Sequence, residues 1–352
     1  MLTCVAFVPF GAAFPSALAY QTRPFNRVAC QTPSRYPLEG CPAGTLLVGP
    51  TAKYTTIQSA VASLSNSTKA AYILILPGNY TEQVNVTRSA PLYLLGQTHD
   101  ARSQVKNAVN VIWRAVAGTG DNAYTATLTV APNLNASLTG SGPTGFNVSA
   151  DEPFGNVDFR TYNINFINDF VPYSDGPSLA LSMGYANAGF YYSGFFSYQD
   201  TIYVGHIGSA YFARCAIAGQ TDFFYGFGTA WVQTSDIQLR SCGGGITAWK
   251  GTNTTFENKY GIYIHDNYVH KANSSLNITG KCALGRPWVS LGWVRHGPRL
   301  TLIFGRTHKS APSSRTTTLT TASSPVATSS GQRQRRVSTI THSKLSTSRL
   351  HR

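Results

Sequence analysis

The sequence predicts an all-β protein made of short strands, and three observations favour this fold class. Beyond residue 72, short apolar runs alternate with clusters of Gly, Asn, Asp and Ser, the pattern of strands joined by turns. No convincing helical periodicity interrupts these runs. Two-residue segments also recur at intervals of 29, 22, 20 and 31 residues, and a strand unit of this length is typical of a solenoid. The recurring segments are Asn165-Phe166, Gly194-Phe195, Ala216-Ile217, Asp236-Ile237 and Asn267-Tyr268.

A β-sandwich is the competing architecture, because it also consists of many short strands, and the pattern alone leaves both open. The predicted strands cover residues 72–76, 92–95, 109–113, 127–130, 162–167, 189–196, 210–217, 230–239 and 261–269.

The N-terminal part divides into three segments. Residues 1–19 are apolar and end in Ala17-Leu18-Ala19, which predicts a secretion signal with a small-x-small cleavage site. Residues 20–49 contain Pro and Arg with little periodicity, so we expect an irregular extension. Residues 56–64 place Ile57 and its helical neighbours on one apolar face, which predicts a short amphipathic helix able to cover the open end of a sheet.

The charge of the chain is concentrated at its C-terminal end. The formal net charge is +14, with 28 Lys and Arg against 14 Asp and Glu. Residues 289–352 hold 11 of the basic residues and no acidic ones, so residues 1–288 carry only +3. This Ser/Thr-rich tail has few large apolar residues and is predicted to be disordered. The distribution argues against nucleic acid as the partner of the folded domain, which we place at residues 50–288.

Glycosylation sequons and cysteines favour an oxidising, extracellular setting. Cys4 would leave with the signal, and Cys30 and Cys41 could close a small loop. Cys215, Cys242 and Cys282 leave one thiol over, and the sequence does not settle which two pair. The eight Asn-x-Ser/Thr sites are Asn66, Asn79, Asn85, Asn135, Asn147, Asn253, Asn273 and Asn277.

Two carboxylates in apolar, aromatic surroundings are the candidate catalytic groups. They are Asp200 in Gln199-Asp200-Thr201 and Asp222 in Gly219-Gln220-Thr221-Asp222-Phe223-Phe224-Tyr225-Gly226. In such surroundings paired carboxylates acquire separated pKa values, so that one donates a proton and the other attacks. Both could equally be turn residues between strands. Their separation of 22 residues is about one coil of a solenoid, which would set them side by side.

These segments, together with Leu284-Gly285-Arg286-Pro287-Trp288, resemble the signatures of the pectin methylesterases (pectinesterases). The resemblance runs from about residue 48 to Trp288. It implies a right-handed single-stranded parallel β-helix, here without its C-terminal coils, and so decides between solenoid and sandwich. It also implies a secreted, cofactor-free enzyme that removes methyl groups from methylated homogalacturonan (pectin).

The resemblance also implies roles for single residues. Asp222 matches the nucleophile, and Asp200 matches the acid that protonates methanol and then activates water. Gln199 would donate to the oxyanion, and Arg286 would hold Asp222 ionised and oriented. The aromatic residues Tyr225 and Trp288 match positions that line the sugar groove, although both could be ordinary packing residues. Glu82 lies in a segment that we interpret as structural, where it would pair inside a turn.

Two departures from the family pattern affect the expected activity. Pro177 stands where the family has a second oxyanion-hole Gln, and it offers no donor. Ser235 stands where many relatives have a cysteine that follows the counterpart of Cys215 by about one coil, so Cys242 is a candidate partner for Cys215. A catalytically impaired pectin-binding homologue and a basic polyanion-binding wall protein therefore remain alternatives.

Other site types lack their motifs. The sequence has no Gly-x-Ser-x-Gly, no His-Glu-x-x-His and no Cys-x-x-Cys, which argues against an α/β-hydrolase triad and a zinc site. After residue 19 no apolar run is long enough to span a membrane. We expect a monomer without metal or cofactor. A polygalacturonase on the same fold would need a further carboxylate cluster.

Overall fold

The computed structural model describes residues 25–65, 67–139, 149, 151–170, 172–249, 261–287 and 301–303, and for residues 286, 287 and 301–303 it describes only the backbone. The predicted signal segment 1–19, Trp288 and most of the tail 289–352 lie outside these ranges. Within them, the chain forms three parallel sheets, and each strand pairs with strands one coil earlier and one coil later. The architecture is a parallel β-helix, so the fold class predicted from the sequence is confirmed.

Sheet A has nine strands and sheets B and C have seven each in the described part of the chain. Sheet A contains β1 (Leu46–Val48), β2 (Ala71–Ile75), β5 (Leu92–Gly96), β8 (Phe159–Tyr162), β11 (Asn187–Tyr191), β14 (Ser209–Ala213), β17 (Thr229–Gln233), β20 (Gly261–His265) and β23 (Thr301–Ile303). Sheet B contains β3 (Gly78–Thr81), β6 (Val109–Trp113), β9 (Ile164–Asn168), β12 (Gly194–Phe196), β15 (Ala216–Gly219), β18 (Asp236–Leu239) and β21 (Tyr268–Lys271). Sheet C contains β4 (Val84–Val86), β7 (Leu128–Val130), β10 (Leu181–Met183), β13 (Ile202–Val204), β16 (Phe224–Gly226), β19 (Gly245–Trp249) and β22 (Ala283–Pro287).

The recurring segments of the sequence mark the register of sheet B. Asn165 pairs with Gly194, Gly194 with Ala216, and Ala216 with Asp236, as the intervals predict. In the last step Asp236 pairs with Tyr268, one residue later than predicted. The second member of the first four segments is fully buried, which stacks apolar side chains along the axis, whereas Tyr268 in the last segment is exposed.

The core is a column of aromatic and aliphatic side chains between the three sheets. Phe190 of β11 is fully buried and stacks on Phe212 one coil later, with ring centroids 4.8 Å apart. Phe166 and Phe195 form a second stacked pair at 5.5 Å. Burying each such ring stabilises the fold by about 2–3 kcal/mol, so the stacking of like residues holds the coils in register.

Five predicted strands are in fact two strands each, and the one or two residues between them include one with left-handed backbone. Asn163, Tyr192, Arg214, Thr234 and Asp266 have φ between 49° and 56°. Each lies at the corner where the chain passes from sheet A to sheet B. The apolar pattern continues through these corners because both strands face the same core, so periodicity could not locate the bend.

The N-terminal extension is more ordered than expected. Residues 27–31 form helix α1 (Arg27–Gln31), and the disulfide Cys30–Cys41 anchors the segment that leads into β1. The side-chain amide of Gln31 is buried and donates to the Gly96 carbonyl at 2.7 Å. The described part of the 20–49 segment therefore contains one short helix and β1 joined by irregular backbone, and its contacts are made with coils distant in sequence.

Helix α2 (Ile57–Ala62) lies within the predicted segment and covers the first coil, with Thr56 as its N-cap. Its apolar face joins the core through Ile57. Glu82 does not pair within its own turn as expected. Its two carboxylate oxygens accept from the backbone N–H groups of Ile57 and Gln58, each at 2.8 Å, so it caps the helix from the second coil.

The cysteine pairing differs from one expectation. Cys242 pairs with Cys282, and Cys215 is a buried free thiol, so Cys242 is not the partner of Cys215. The hydroxyl of Ser235 accepts from the Cys215 backbone N–H at 2.9 Å. Ser235 is therefore linked to the preceding coil by a hydrogen bond, where a cysteine could have formed a disulfide. Residues 301–303 of the predicted tail form β23 beside β20.

Candidate active site

The two candidate carboxylates lie at consecutive corners between sheets B and C. Asp200 and Asp222 both have left-handed backbone, with φ of 59° and 49°. Aspartate is one of the few residues besides glycine that adopts this conformation readily. Both aspartates are therefore turn residues between strands, and this position is compatible with a catalytic role.

The structure brings these two aspartates together on neighbouring coils. Gln199 and Thr221, which precede them, form a parallel bridge, and the Asp200 N–H donates to the Thr221 carbonyl at 3.0 Å. Neighbouring parallel strands lie about 4.8 Å apart, so Asp200 and Asp222 are stacked in register. Both are nearly buried, at 8% and 4% exposure.

Asp222 is fixed by the next coil. Its N–H donates to the Gly245 carbonyl at 2.8 Å, and its Oδ1 accepts from the Gly245 N–H at 3.2 Å. A Cβ at Gly245 would lie 2.7 Å from the Gly285 Cα, so only glycine at residue 245 permits this approach of β19 and β22. These two hydrogen bonds fix the backbone and the carboxyl of Asp222 at this corner.

Asp200 is held by a residue from two coils earlier. The Asn122 side chain donates to the Asp200 Oδ2 at 3.3 Å. Asn122 opens a 3₁₀ helix (Asn122–Thr125) whose cap, Asp121, accepts from the Ala123 N–H at 2.8 Å. Sequence reasoning missed Asn122, because its segment carries no motif and no spacing that connects it to Asp200.

Tyr225 is buried and does not lie on an open surface. It is 3% exposed and packs against Tyr203, with ring centroids 5.0 Å apart. Burial and the nearby charge of Asp200 raise the pKa of Tyr225 well above its usual value, so its hydroxyl keeps its proton. Tyr225 is therefore a buried residue near Asp200, and its role in lining a sugar groove stays a prediction.

The side-chain amide of Gln199 is oriented by a loop before β10. Its Oε1 accepts from the Ser174 hydroxyl at 2.7 Å and from the Gly176 N–H at 3.3 Å. Because the carbonyl end accepts both bonds, the NH₂ end is the one that remains to donate to a substrate oxygen. This is the orientation that an oxyanion donor needs.

The remaining predicted residues lie at or beyond the last described coils. Arg286 is in β22, where its backbone pairs with Ala248, which in turn pairs with Tyr225. It thus occupies the same row of sheet C as Tyr203 and Tyr225. Trp288 lies outside the described residues. No cluster of His, Cys, Asp and Glu suited to a metal ion occurs in the part of the chain that the structure describes.

Pro177 occupies the position beside Gln199 on the preceding coil. The Ser178 N–H donates to the Gln199 carbonyl at 3.0 Å, which places Pro177 next to Gln199. Pro177 has neither an N–H nor a polar side chain, so the site contains one fewer donor there than the resemblance implies.

Within the described ranges, no helix is both long and apolar enough to cross a bilayer.

The chain is similar in sequence to known proteins of one family. Residues 106–294 match the family model "Pectinesterase". Pectinesterase A of Emericella nidulans is 34% identical over 253 residues, which are 72% of this chain and 69% of that protein. A probable pectinesterase A of Aspergillus niger is 32% identical over 254 residues, covering 72% of this chain and 68% of that protein.

Solved structures of pectin methylesterases are also similar to this chain. The pectin methylesterase from Aspergillus niger in its deglycosylated form superposes with a TM-score of 0.59 at 30% identity, covering 75% of each chain. The carrot pectin methylesterase shares the fold, with a TM-score of 0.53 at 24% identity and 70% coverage of each chain. The family model covers more than half of this chain and the similarity to relatives extends over most of their length, so the chain belongs to the pectinesterase family of enzymes.

Proposed function

We propose that this chain is a secreted ester hydrolase that removes methyl groups from methylated homogalacturonan and releases methanol through an acyl-aspartate intermediate. The observation that carries the proposal is the stacking of Asp200 and Asp222 at two in-register corners, each held by a donor from a different coil. Secretion is supported by the apolar N-terminal segment and by two disulfides among the described residues.

The first half of the reaction forms the acyl-enzyme. A carboxylate oxygen of Asp222 bonds to the carbonyl carbon of the C6 methyl ester, and the electron pair moves to the carbonyl oxygen. The NH₂ group of Gln199 donates to this oxyanion, a contribution of about 3 kcal/mol where such donors have been removed. The C–OCH₃ bond then breaks, and methanol leaves with a proton from Asp200.

The second half regenerates the enzyme. Asp200, now a carboxylate, takes a proton from water as the water oxygen attacks the acyl carbon. The bond to Asp222 breaks, so that Asp222 returns as a carboxylate and the galacturonate unit is released as an acid. Arg286 would keep Asp222 ionised between cycles. The scheme needs two carboxyls with opposite protonation states, and no metal or cofactor enters it.

The test measures methanol released from highly methylated pectin by the full secreted chain. The Asp222→Asn variant should lose activity by at least a thousandfold, because an amide is a far poorer nucleophile. Asp236→Asn is the matched control, since Asp236 lies in sheet B and accepts from Gln104 at 2.7 Å, away from the two corners. Equal methanol release by Asp222→Asn and the parent would refute the mechanism. Pectin binding without methanol release would instead identify a binding homologue, the alternative that Pro177 favours.

A further inference from the structure

The loop before β10 holds two glutamine side chains and not one. Besides the bond from its hydroxyl to Gln199, Ser174 donates its backbone N–H to the Oε1 of Gln220 at 3.3 Å. Gln199 and Gln220 come from consecutive coils, and each has its carbonyl oxygen bound to the same residue. The NH₂ end of each amide is therefore the end that remains to donate to a substrate.

Gln220 also lies close to the nucleophile in the chain. It is two residues before Asp222, and its backbone is fixed by donation to the Tyr198 carbonyl at 2.7 Å. Its Nε2 lies 3.5 Å from the position that a Cβ of Gly243 would occupy, so the amide borders the segment before β19. Gln220 is half-buried, which permits contact with a ligand in the site.

We propose that Gln220 is the second oxyanion donor of this enzyme and replaces the donor that Pro177 cannot supply. Ser174 is the positioning residue that orients both amides. The inference rests on the proposed function, since an oxyanion forms only if Asp222 attacks an ester. It assigns a catalytic role to a residue whose position in the sequence gives no such indication.

The chemistry agrees with two neutral donors. A tetrahedral oxyanion has lone pairs for two or three hydrogen bonds, and each well-placed donor contributes on the order of a hundredfold in rate. A single amide would leave lone pairs of this oxygen without a donor, in a site whose two carboxylates are nearly buried. Gln199 and Gln220 would donate from two coils and so flank the same oxygen, with Ser174 between their carbonyl ends.

The test compares methanol release by the parent chain, Gln220→Ala and Gln220→Met, the last of which keeps the volume and removes the donor. We expect kcat to fall on the order of a hundredfold in both variants, with KM changed by less than about threefold. Gln238→Ala, a change in β18 of sheet B, is the control. The thermal midpoint shows whether each variant is folded, and Gln220→Met carries the test if Gln220→Ala is not.

A rescue variant tests the replacement itself. Adding Pro177→Gln to Gln220→Met restores the donor at the position where the family has it, and should recover at least tenfold of the lost kcat. Full kcat in Gln220→Met, a loss confined to KM, or no recovery in a folded double variant would each overturn the inference. A parent chain that releases no methanol overturns the proposed function as well, whereas an active parent with an unaffected Gln220→Met overturns only the role of Gln220.

Discussion

Removing the side chain of Asn122 should shift the pH dependence of the reaction. Asn122 donates to the Asp200 carboxylate at 3.3 Å, and this donation stabilises the ionised form. Hydrogen bonds to charged groups contribute about 1.5–3 kcal/mol, and the long distance puts this one at the lower end. A loss of about 1.4 kcal/mol corresponds to one pH unit, so in Asn122→Ala the Asp200 carboxyl should keep its proton to a pH about one unit higher.

The direction of the pH shift follows from the role of Asp200 in the first half of the reaction. Formation of the acyl-enzyme requires Asp200 with its proton, so the alkaline limb of kcat/KM should move to higher pH by up to about one unit. Methanol release measured across the acidic to neutral range gives this limb directly. A residue that only supported the fold would lower the rate at every pH and leave the limb in place.

The matched control is Asn187→Ala, because Asn187 is exposed at the start of β11 and donates to the Val157 carbonyl at 3.2 Å. It should leave both the rate and the limb unchanged. An unchanged alkaline limb in Asn122→Ala, or a limb displaced to lower pH, would refute the reasoning that Asn122 acts on the charge of Asp200.

Two predictions concern stability. Glu82→Ala removes both carboxylate acceptors from the start of α2 and should lower the free energy of unfolding by about 2–3 kcal/mol. Glu82→Gln keeps one acceptor oxygen, so its free energy of unfolding should fall by less. Equal urea midpoints for Glu82→Ala and the parent would contradict this prediction. Burial raises the pKa of the Cys215 thiol to about 12, above an unfolded value of about 8.5, so the unfolded state alone loses this proton as pH rises through the interval. The free energy of unfolding of the parent should therefore fall by about 1.4 kcal/mol by about pH 9.5, relative to that of Cys215→Ala. If the free energies of unfolding of the two proteins change in parallel with pH, the thiol is not responsible.

The repeat length and the inward-facing residues could be obtained from the sequence because they are local. Phe166, Phe195 and Ile217 recur at intervals that match the register of sheet B, since stacked coils need like residues at like positions. The candidate carboxylates could also be chosen from the sequence, because only 14 acidic residues exist and Asp200 and Asp222 lie one coil apart.

The corners and the surroundings of the carboxylates required the tertiary structure. Nothing in the apolar run around Tyr192 marks the left-handed bend that separates β11 from β12, because both strands face one core. Asn122 lies 78 residues before its partner Asp200, and Ser174 lies 46 residues before Gln220. Such contacts depend on how loops from different coils cross the same face, and a one-dimensional pattern carries no information on that crossing.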